Sequence, residues 1–304
     1  MTNRHILTIK NLSKSFDKVE VLKNLKISLG LGEIYAIIGP NGAGKTTLFN
    51  LITGIIPKDA GTIVFYKDET KQKFFGGPGG EFSKKPPGRR RHENNLPIDI
   101  TKKKSYEIAR LGIGRTFQGN RVFANMTVLE NVMFARQLVE IENPISIMKS
   151  THKKLLNQHK KNTGLTAGEK EVKNLEELLK QEAEQRLDFV GLREVSAHKA
   201  EELSYGQQKL LAIARLLMAD SRLLLFDEPT AGVNPKYAAR IAEIFKKIVS
   251  KGDKTILFIE HDMKFIQALG CKCLYLEAGR CPWPFFELEV IMKNPEIRRK
   301  FMGM

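Results

Sequence analysis

The chain has 304 residues, 42% of them apolar and 28% charged, with a formal net charge of +16. This is enough apolar material for a sizeable core and long for one domain, so a single core with an attached subdomain is expected. No window approaches the roughly 18–20 apolar residues that span a bilayer, so membrane association would be peripheral, and three cysteines (Cys271, Cys273, Cys281) with no histidines at zinc spacing argue against a disulfide framework or a zinc site.

In chain order, ILTIKNLSKSF and VLKNLKISL read as two strands separated by a polar turn at Asp17 and Lys18, the first with period-two alternation. The N-terminus lacks the apolar stretch and cleavage site of a signal peptide, so the cytosol is the expected compartment. EIYAIIG is a mostly apolar strand that runs into a glycine loop. TTLFNLITGII follows with helical apolar spacing, and Pro57 and Gly61 close it before the strand TIVFY.

Residues 67–104 differ in kind, rich in Gly, Pro and charge, with 11 basic and 5 acidic side chains. They read as a flexible surface excursion, whose Arg89, Arg90 and Arg91 could bind phosphate or lipid headgroups. Periodicity returns at SYEIARLGIGRTFQ and TVLENVMFARQLV. Residues 144–185 read as a polar helix or linker leading into EQRLDFVGL. A helix is then expected over 210–219, followed by the apolar strand of LLLFDEP, a helix over 236–250 and the strand TILFIEHD. The positive charge alone would suggest nucleic acid or anionic lipid. It is concentrated in the apparent insertions, outside the motif-bearing segments.

The loop Gly39, Pro40, Asn41, Gly42, Ala43, Gly44, Lys45, Thr46 fits G-x-x-x-x-G-K-[ST] completely and stands between a strand and a helix, with Thr47 continuing it. Its glycines let backbone N–H groups converge on the phosphates of ATP, Lys45 adds a point charge, and the Thr46 hydroxyl is suited to Mg²⁺. Asp227 and Glu228 follow four apolar residues and so emerge at a strand's carboxyl end, where open α/β sheets bind ligands. Asp227 would hold the ion through water and Glu228 would orient and polarise the attacking water. Taken alone, the pair could be two surface acids. His261 at the end of TILFIEH could contact the γ-phosphate or simply be a satisfied strand-end residue.

GPNGAGKTT, Gln118 in RTFQ, LSYGQQ, LLLFDEP and IEHD, in this order, resemble the nucleotide-binding subunit of an ABC transporter. RLGIGRTFQ, MTVLENVM, LSYGQQ, AGVNP and IEHDM are most similar to the ATPase subunits of bacterial branched-chain amino acid importers, a group that includes urea and amide importers. The resemblance implies an α/β P-loop NTPase core with a mixed sheet, an N-terminal antiparallel β subdomain and an α-helical signature subdomain. It divides a single domain, 4–304, into a core of about 4–66 and 220–280 and a helical part of about 105–219, with the insertion 67–104 and a C-terminal extension 281–304. It further implies that Phe16 stacks on adenine, although such a phenylalanine could equally be core, and that Gln118 joins the Mg²⁺ site and senses the membrane partner. Ser204, Tyr205, Gly206 and Gln207 would complete the ATP site of a second ATPase subunit, identical or related. Asn234 would lie in the loop that meets that subunit.

The implied partners are transmembrane permease subunits and, indirectly, a substrate-binding protein, at the cytoplasmic face of the cell membrane, with no nucleic acid. Two other readings remain open: a non-transport ATPase acting on nucleic acid or ribosomes, encouraged only by the charge, and a regulatory or inactive cassette, suggested by the insertions, against which the intact Lys45, Asp227, Glu228 and His261 speak. AGRCPWPFFELEV departs from the short glycine-containing turn usual after the last strand.

Overall fold

Alternating apolar residues from residue 5 onward build the first strand of an antiparallel sheet. The computed structural model describes residues 5–68, 95–117, 122–140, 167–282, 285–287, 290, 293 and 295. β1 (His5–Phe16) and β2 (Val19–Gly30) form a hairpin turned at Asp17, which has a φ of 52°. β4 (Ala60–Asp68) pairs with β1, and β5 (Asn95–Asp99) pairs with β4, giving the order β2-β1-β4-β5. The expected excursion at 67–104 thus has its two ends built into a sheet. Residues 69–94, with Arg89, Arg90 and Arg91, lie outside the described residues.

The second sheet contains β3 (Ile34–Ile38), β6 (Ile113–Arg115), β7 (Leu223–Asp227), β8 (Thr255–Ile259), β9 (Lys272–Tyr275) and β10 (Phe286–Glu287). Its order is β10-β9-β3-β8-β7-β6, parallel except where β10 joins β9. β6 pairs with Leu223, Leu224 and Leu225, so residues 113–115 extend the core sheet rather than the helical part to which 105–219 was assigned. A three-residue strand carries too little periodicity to be read in advance.

Successive residues of a strand point to opposite faces, and this divides the core in two. Ala36, Ile38, Leu224, Phe226, Ile256 and Phe258 face one apolar cluster with the helices α3 (Val128–Glu140), α4 (Ala167–Val190), α5 (Tyr205–Met218), α6 (Pro235–Val249) and α7 (Met263–Leu269). Ile37, Leu223, Leu225, Leu257 and Ile259 face the antiparallel sheet, α1 (Lys45–Ile52) and α2 (Ser105–Leu111). The main sheet is therefore covered on both sides, which explains the uninterrupted apolar runs of β7 and β8.

Phe245 of α6 is fully buried at the centre of an aromatic group, with ring centroids 4.6 Å from Phe226 and 6.0 Å from both Phe258 and Phe265. Phe245→Ala is expected to cost about 3–5 kcal/mol, the usual penalty for emptying a buried aromatic site. Urea unfolding checks this, and a midpoint equal to the parent's would contradict it.

Past β9 the chain reverses at Ala278 and Gly279, with φ of 45° and 76°. A Cβ on Gly279 would collide with the Val21 carbonyl oxygen, and the Lys23 N–H donates to the Gly279 carbonyl at 2.8 Å. A glycine turn is thus present before the atypical segment. Trp283 and Pro284 lie outside the described residues. Cys271 and Cys273 are buried and Cys281 is partly buried, and none of the three is in a disulfide.

Candidate active site

β8 lies between β3 and β7 in parallel register, with Ile37 and Asp227 both opposite Ile259. The loops that follow these three strands therefore leave from one sheet edge, bringing Gly39, Glu228 and His261 together from segments far apart in sequence.

Gly39 leaves β3 with a φ of 151°, and a Cβ there would collide with the Leu276 carbonyl oxygen. Gly44 has a φ of 100° and caps α1, and an added Cβ would come within 2.6 Å of Leu22 Cδ2 and 3.0 Å of the Val21 oxygen. A glycine cap offers no side-chain acceptor to the first amides of α1. Leu48 is the first described amide to bond back, to the Gly44 oxygen at 2.9 Å. The N–H groups of Lys45, Thr46 and Thr47 are donors without helical acceptors, and the helix dipole adds positive potential. This is the chemistry of a phosphate cradle. Asn41, Gly42 and Thr46 are exposed, while Ala43 is buried.

Lys45 is buried, and its Nζ folds back to donate to the carbonyls of Gly39 at 2.7 Å and Pro40 at 2.9 Å. Burial lowers its pKa below the ordinary lysine value, and the charges of Glu228 and Asp227 partly restore it. Asp227 is only 3% exposed and accepts a hydrogen bond from Arg115 Nη2 at 3.0 Å. Arg115, at the end of β6, also donates to Asn50 Oδ1 at 2.7 Å, and its guanidinium lies 5.2 Å from the Phe49 ring centroid. Burial lowers the Arg115 pKa, opposed by Asp227, yet an arginine stays charged.

Glu228 adopts a φ of 50°, a left-handed conformation uncommon for a glutamate. Its N–H donates to the Ile259 oxygen at 3.0 Å, and His261 Nε2 lies 3.6 Å from Glu228 Oε1. The backbone of this edge is braced by the buried Glu260. One of its carboxylate oxygens accepts from the Thr230 N–H at 2.9 Å and from the Thr230 hydroxyl, and the other accepts from the His261 N–H at 2.9 Å. The turn after β7 and the loop after β8 are thereby tied together.

Ser204 caps α5 in a capping box: its hydroxyl accepts from the Gln207 N–H, and Gln207 Oε1 accepts from the Ser204 N–H at 2.9 Å. The helix consequently starts at Tyr205, five residues before the expected 210. Gly206 packs so closely on Tyr237 that a Cβ would come within 2.6 Å of its ring, and the Tyr205 ring lies against Gly232. Asn234 caps α6 by accepting from the Tyr237 N–H at 3.1 Å. The loop 204–207 and the segment 232–237 form one packed unit.

Phe16 is 44% exposed at the end of β1, opposite Val19 in a hairpin whose Val21 touches the loop at Gly44. Lys14 Nζ lies 5.3 Å from the Phe16 ring centroid and pairs with Asp59 at 2.7 Å. That lysine and the Ser15 N–H hold the Asp59 carboxyl below the usual range. Gln118 lies outside the described residues.

Three site-facing residues were missed in the sequence: Arg115, Glu260 and Lys209. Glu260 and Lys209 did leave a signal, an acid directly before His261 and a lysine on the buried stripe of α5. Arg115, between GIG and TFQ, left none.

The donor set fits nucleotide and Mg²⁺. Capless N–H groups with an adjacent lysine suit phosphates, and the oxygens of Thr46 and Asp227 suit a hard cation. Among the described residues no cluster of three or more His, Cys, Asp or Glu would hold a metal unaided. Such an ion would therefore be shared with phosphate oxygens.

Residues 22–231 match the family described as "ABC transporter". The chain is 31% identical to the high-affinity branched-chain amino acid transport ATP-binding protein LivG of Salmonella typhimurium, with 98% of each covered. It is 30% identical to BraF of Pseudomonas aeruginosa, a protein of the same description, with 99% of each covered. The crystal structure of a nucleotide-free ATP-binding cassette from an ABC transporter matches with a TM-score of 0.70 at 28% identity, covering 99% of this chain and 100% of that one. With the phosphate cradle, the Asp227-Glu228 pair and His261 gathered at one sheet edge, and with this likeness along nearly the whole length, the chain belongs to the ABC transporter family, as one of its ATP-hydrolysing cassettes.

Proposed function

We propose that this chain energises uptake of branched-chain amino acids, hydrolysing ATP at two composite sites formed with a second cassette, identical or related. The observation that carries the reading is the convergence of loop 39–47, Asp227, Glu228 and His261 at one edge, in a chain with LivG and BraF as relatives over nearly its full length. In each site the amides of 44–47 and Lys45 bind the phosphates, for which Lys45 must exchange the carbonyls of Gly39 and Pro40 for phosphate oxygens. Thr46, Asp227 through water, and Gln118 would hold Mg²⁺, which when bound neutralises charge on the β- and γ-phosphates. Glu228 orients the attacking water and receives its proton at a carboxylate oxygen, and His261 donates to the γ-phosphate. Phe16 supplies the surface for adenine. Ser204, Tyr205, Gly206 and Gln207 complete the second subunit's site, and Asn234 meets that subunit. ATP closes the pair and hydrolysis reopens it.

Among the described residues no helix is long and apolar enough to cross a membrane. The chain would act as a peripheral subunit at the cytoplasmic face. An apolar groove of about 660 Å³ lies between α2, β6 and α5, lined in part by Tyr106, Phe117, Phe123 and Leu216 and reaching Arg115. It suits the permease segment through which closure would be transmitted. Cargo selectivity belongs to the permeases and a substrate-binding protein.

Reconstitution with the permeases and binding protein tests the reading. ATP-dependent accumulation of leucine, isoleucine or valine is expected. Accumulation of urea or short amides instead would overturn the cargo assignment, and tight, steeply salt-dependent RNA binding without permease association would overturn transport.

A further inference from the structure

The left-handed turn at Glu228 is held from outside its own loop. Its carbonyl accepts the Ala231 N–H at 3.2 Å, the ordinary closure of the turn, and also Lys209 Nζ at 3.0 Å. Lys209 belongs to α5, five residues beyond Ser204. It sits on the buried stripe of that helix with Leu210, Ile213 and Leu217 and is only 8% exposed. Its ammonium lies 5.4 Å from the Tyr205 ring centroid, so it is held between that ring and the Glu228 carbonyl. Burying a lysine is costly unless its charge is compensated. Burial does lower its pKa, against the opposing charges of Glu260, Glu228 and Asp227. A purely apolar stripe would have served packing alone.

We infer that Lys209 is a positioning residue for hydrolysis: by gripping the Glu228 carbonyl it fixes the left-handed turn that aims the Glu228 carboxylate. Because Lys209 rides on the helix that opens at Ser204, the aim of one site's carboxylate follows the seating of the loop that completes the other site. A shift of α5 relative to β7 would move both together. This rests on the proposed role of Glu228 as the group that orients water.

The test uses the full chain in its assembled transporter. Lys209→Met is expected to lower kcat by about ten- to a hundred-fold, the scale of an ångström-level misplacement of a reacting group. KM and ATP affinity should stay within about two-fold, because Lys209 grips a backbone carbonyl and acts on orientation rather than binding. Lys209→Arg, which keeps a cationic donor, is expected to retain most of the parent kcat. If Lys209→Met does not yield folded protein, Lys209→Gln enters the same comparison. An unchanged kcat, an equal loss of ATP affinity, or an arginine variant as slow as the methionine one would overturn the inference. Glu228→Gln in the same assay separates the two readings. If Glu228→Gln is inactive and Lys209→Met active, the role of Lys209 alone falls, whereas parent turnover in Glu228→Gln removes the premise as well.

Discussion

Glu228→Gln is expected to lower ATP turnover by about 10²–10⁴-fold, the usual contribution of a positioned general base. ATP affinity should change by less than about two-fold, because an interaction made mainly in the transition state affects kcat more than binding. The amide keeps the side chain's shape and its place beside His261, 3.6 Å away in the parent, but it cannot take the proton from water. In the proposed cycle hydrolysis reopens the pair, so the variant should also accumulate as an ATP-bound dimer. Turnover and equilibrium ATP binding measured side by side, with light scattering for the dimer, check all three consequences. Parent-like turnover in the assembled complex would sink the assignment.

The second large effect is on stability. Asp227 and Arg115 form an ion pair with side chains only 3% and 4% exposed. Desolvation of such a pair is costly, and its two members compensate each other. Removing one leaves a charge buried without its counter-ion, typically a loss of about 3–5 kcal/mol. Asp227→Ala is therefore expected to destabilise the fold by about that much as well as to abolish turnover. Arg115→Met combined with Asp227→Leu should recover most of the stability, since exchanging both charges for apolar groups is often neutral or better, but it should remain inactive. Urea unfolding of the three proteins distinguishes this from a purely catalytic role, and a single variant as stable as the parent would refute the ion pair's structural weight. The same geometry gives Arg115 a role beside the proposed metal site: it neutralises the acid from the end of β6, among the residues lining the groove proposed for the permease.

Much of the site was legible because its physics is local. A glycine loop between an apolar strand and a helix specifies a phosphate cradle within nine residues, 39–47. Asp227 and Glu228 could be assigned to a strand end because four apolar residues precede them. The start of α5 was also written locally, in the Ser204–Gln207 capping box, but apolar spacing alone put it at 210 because the first turn, Tyr205 to Gln208, carries little apolar periodicity. β6 escaped for a different reason: three residues cannot display a period, and its identity depends on β7 lying beside it.

By itself the sequence determined which chemistry is available: a glycine loop suited to phosphate at 39–47, acids at 227 and 228, and a histidine at 261. These depend on turns and strand ends, each formed by residues within a few positions of one another. Only the tertiary structure decided how those pieces share a single edge, since parallel strand order joins segments nearly two hundred residues apart. It also decided that Arg115 neutralises Asp227 and that Lys209 grips the Glu228 carbonyl. A long cationic side chain can reach a partner on another element, and no spacing along the chain reports which one it meets.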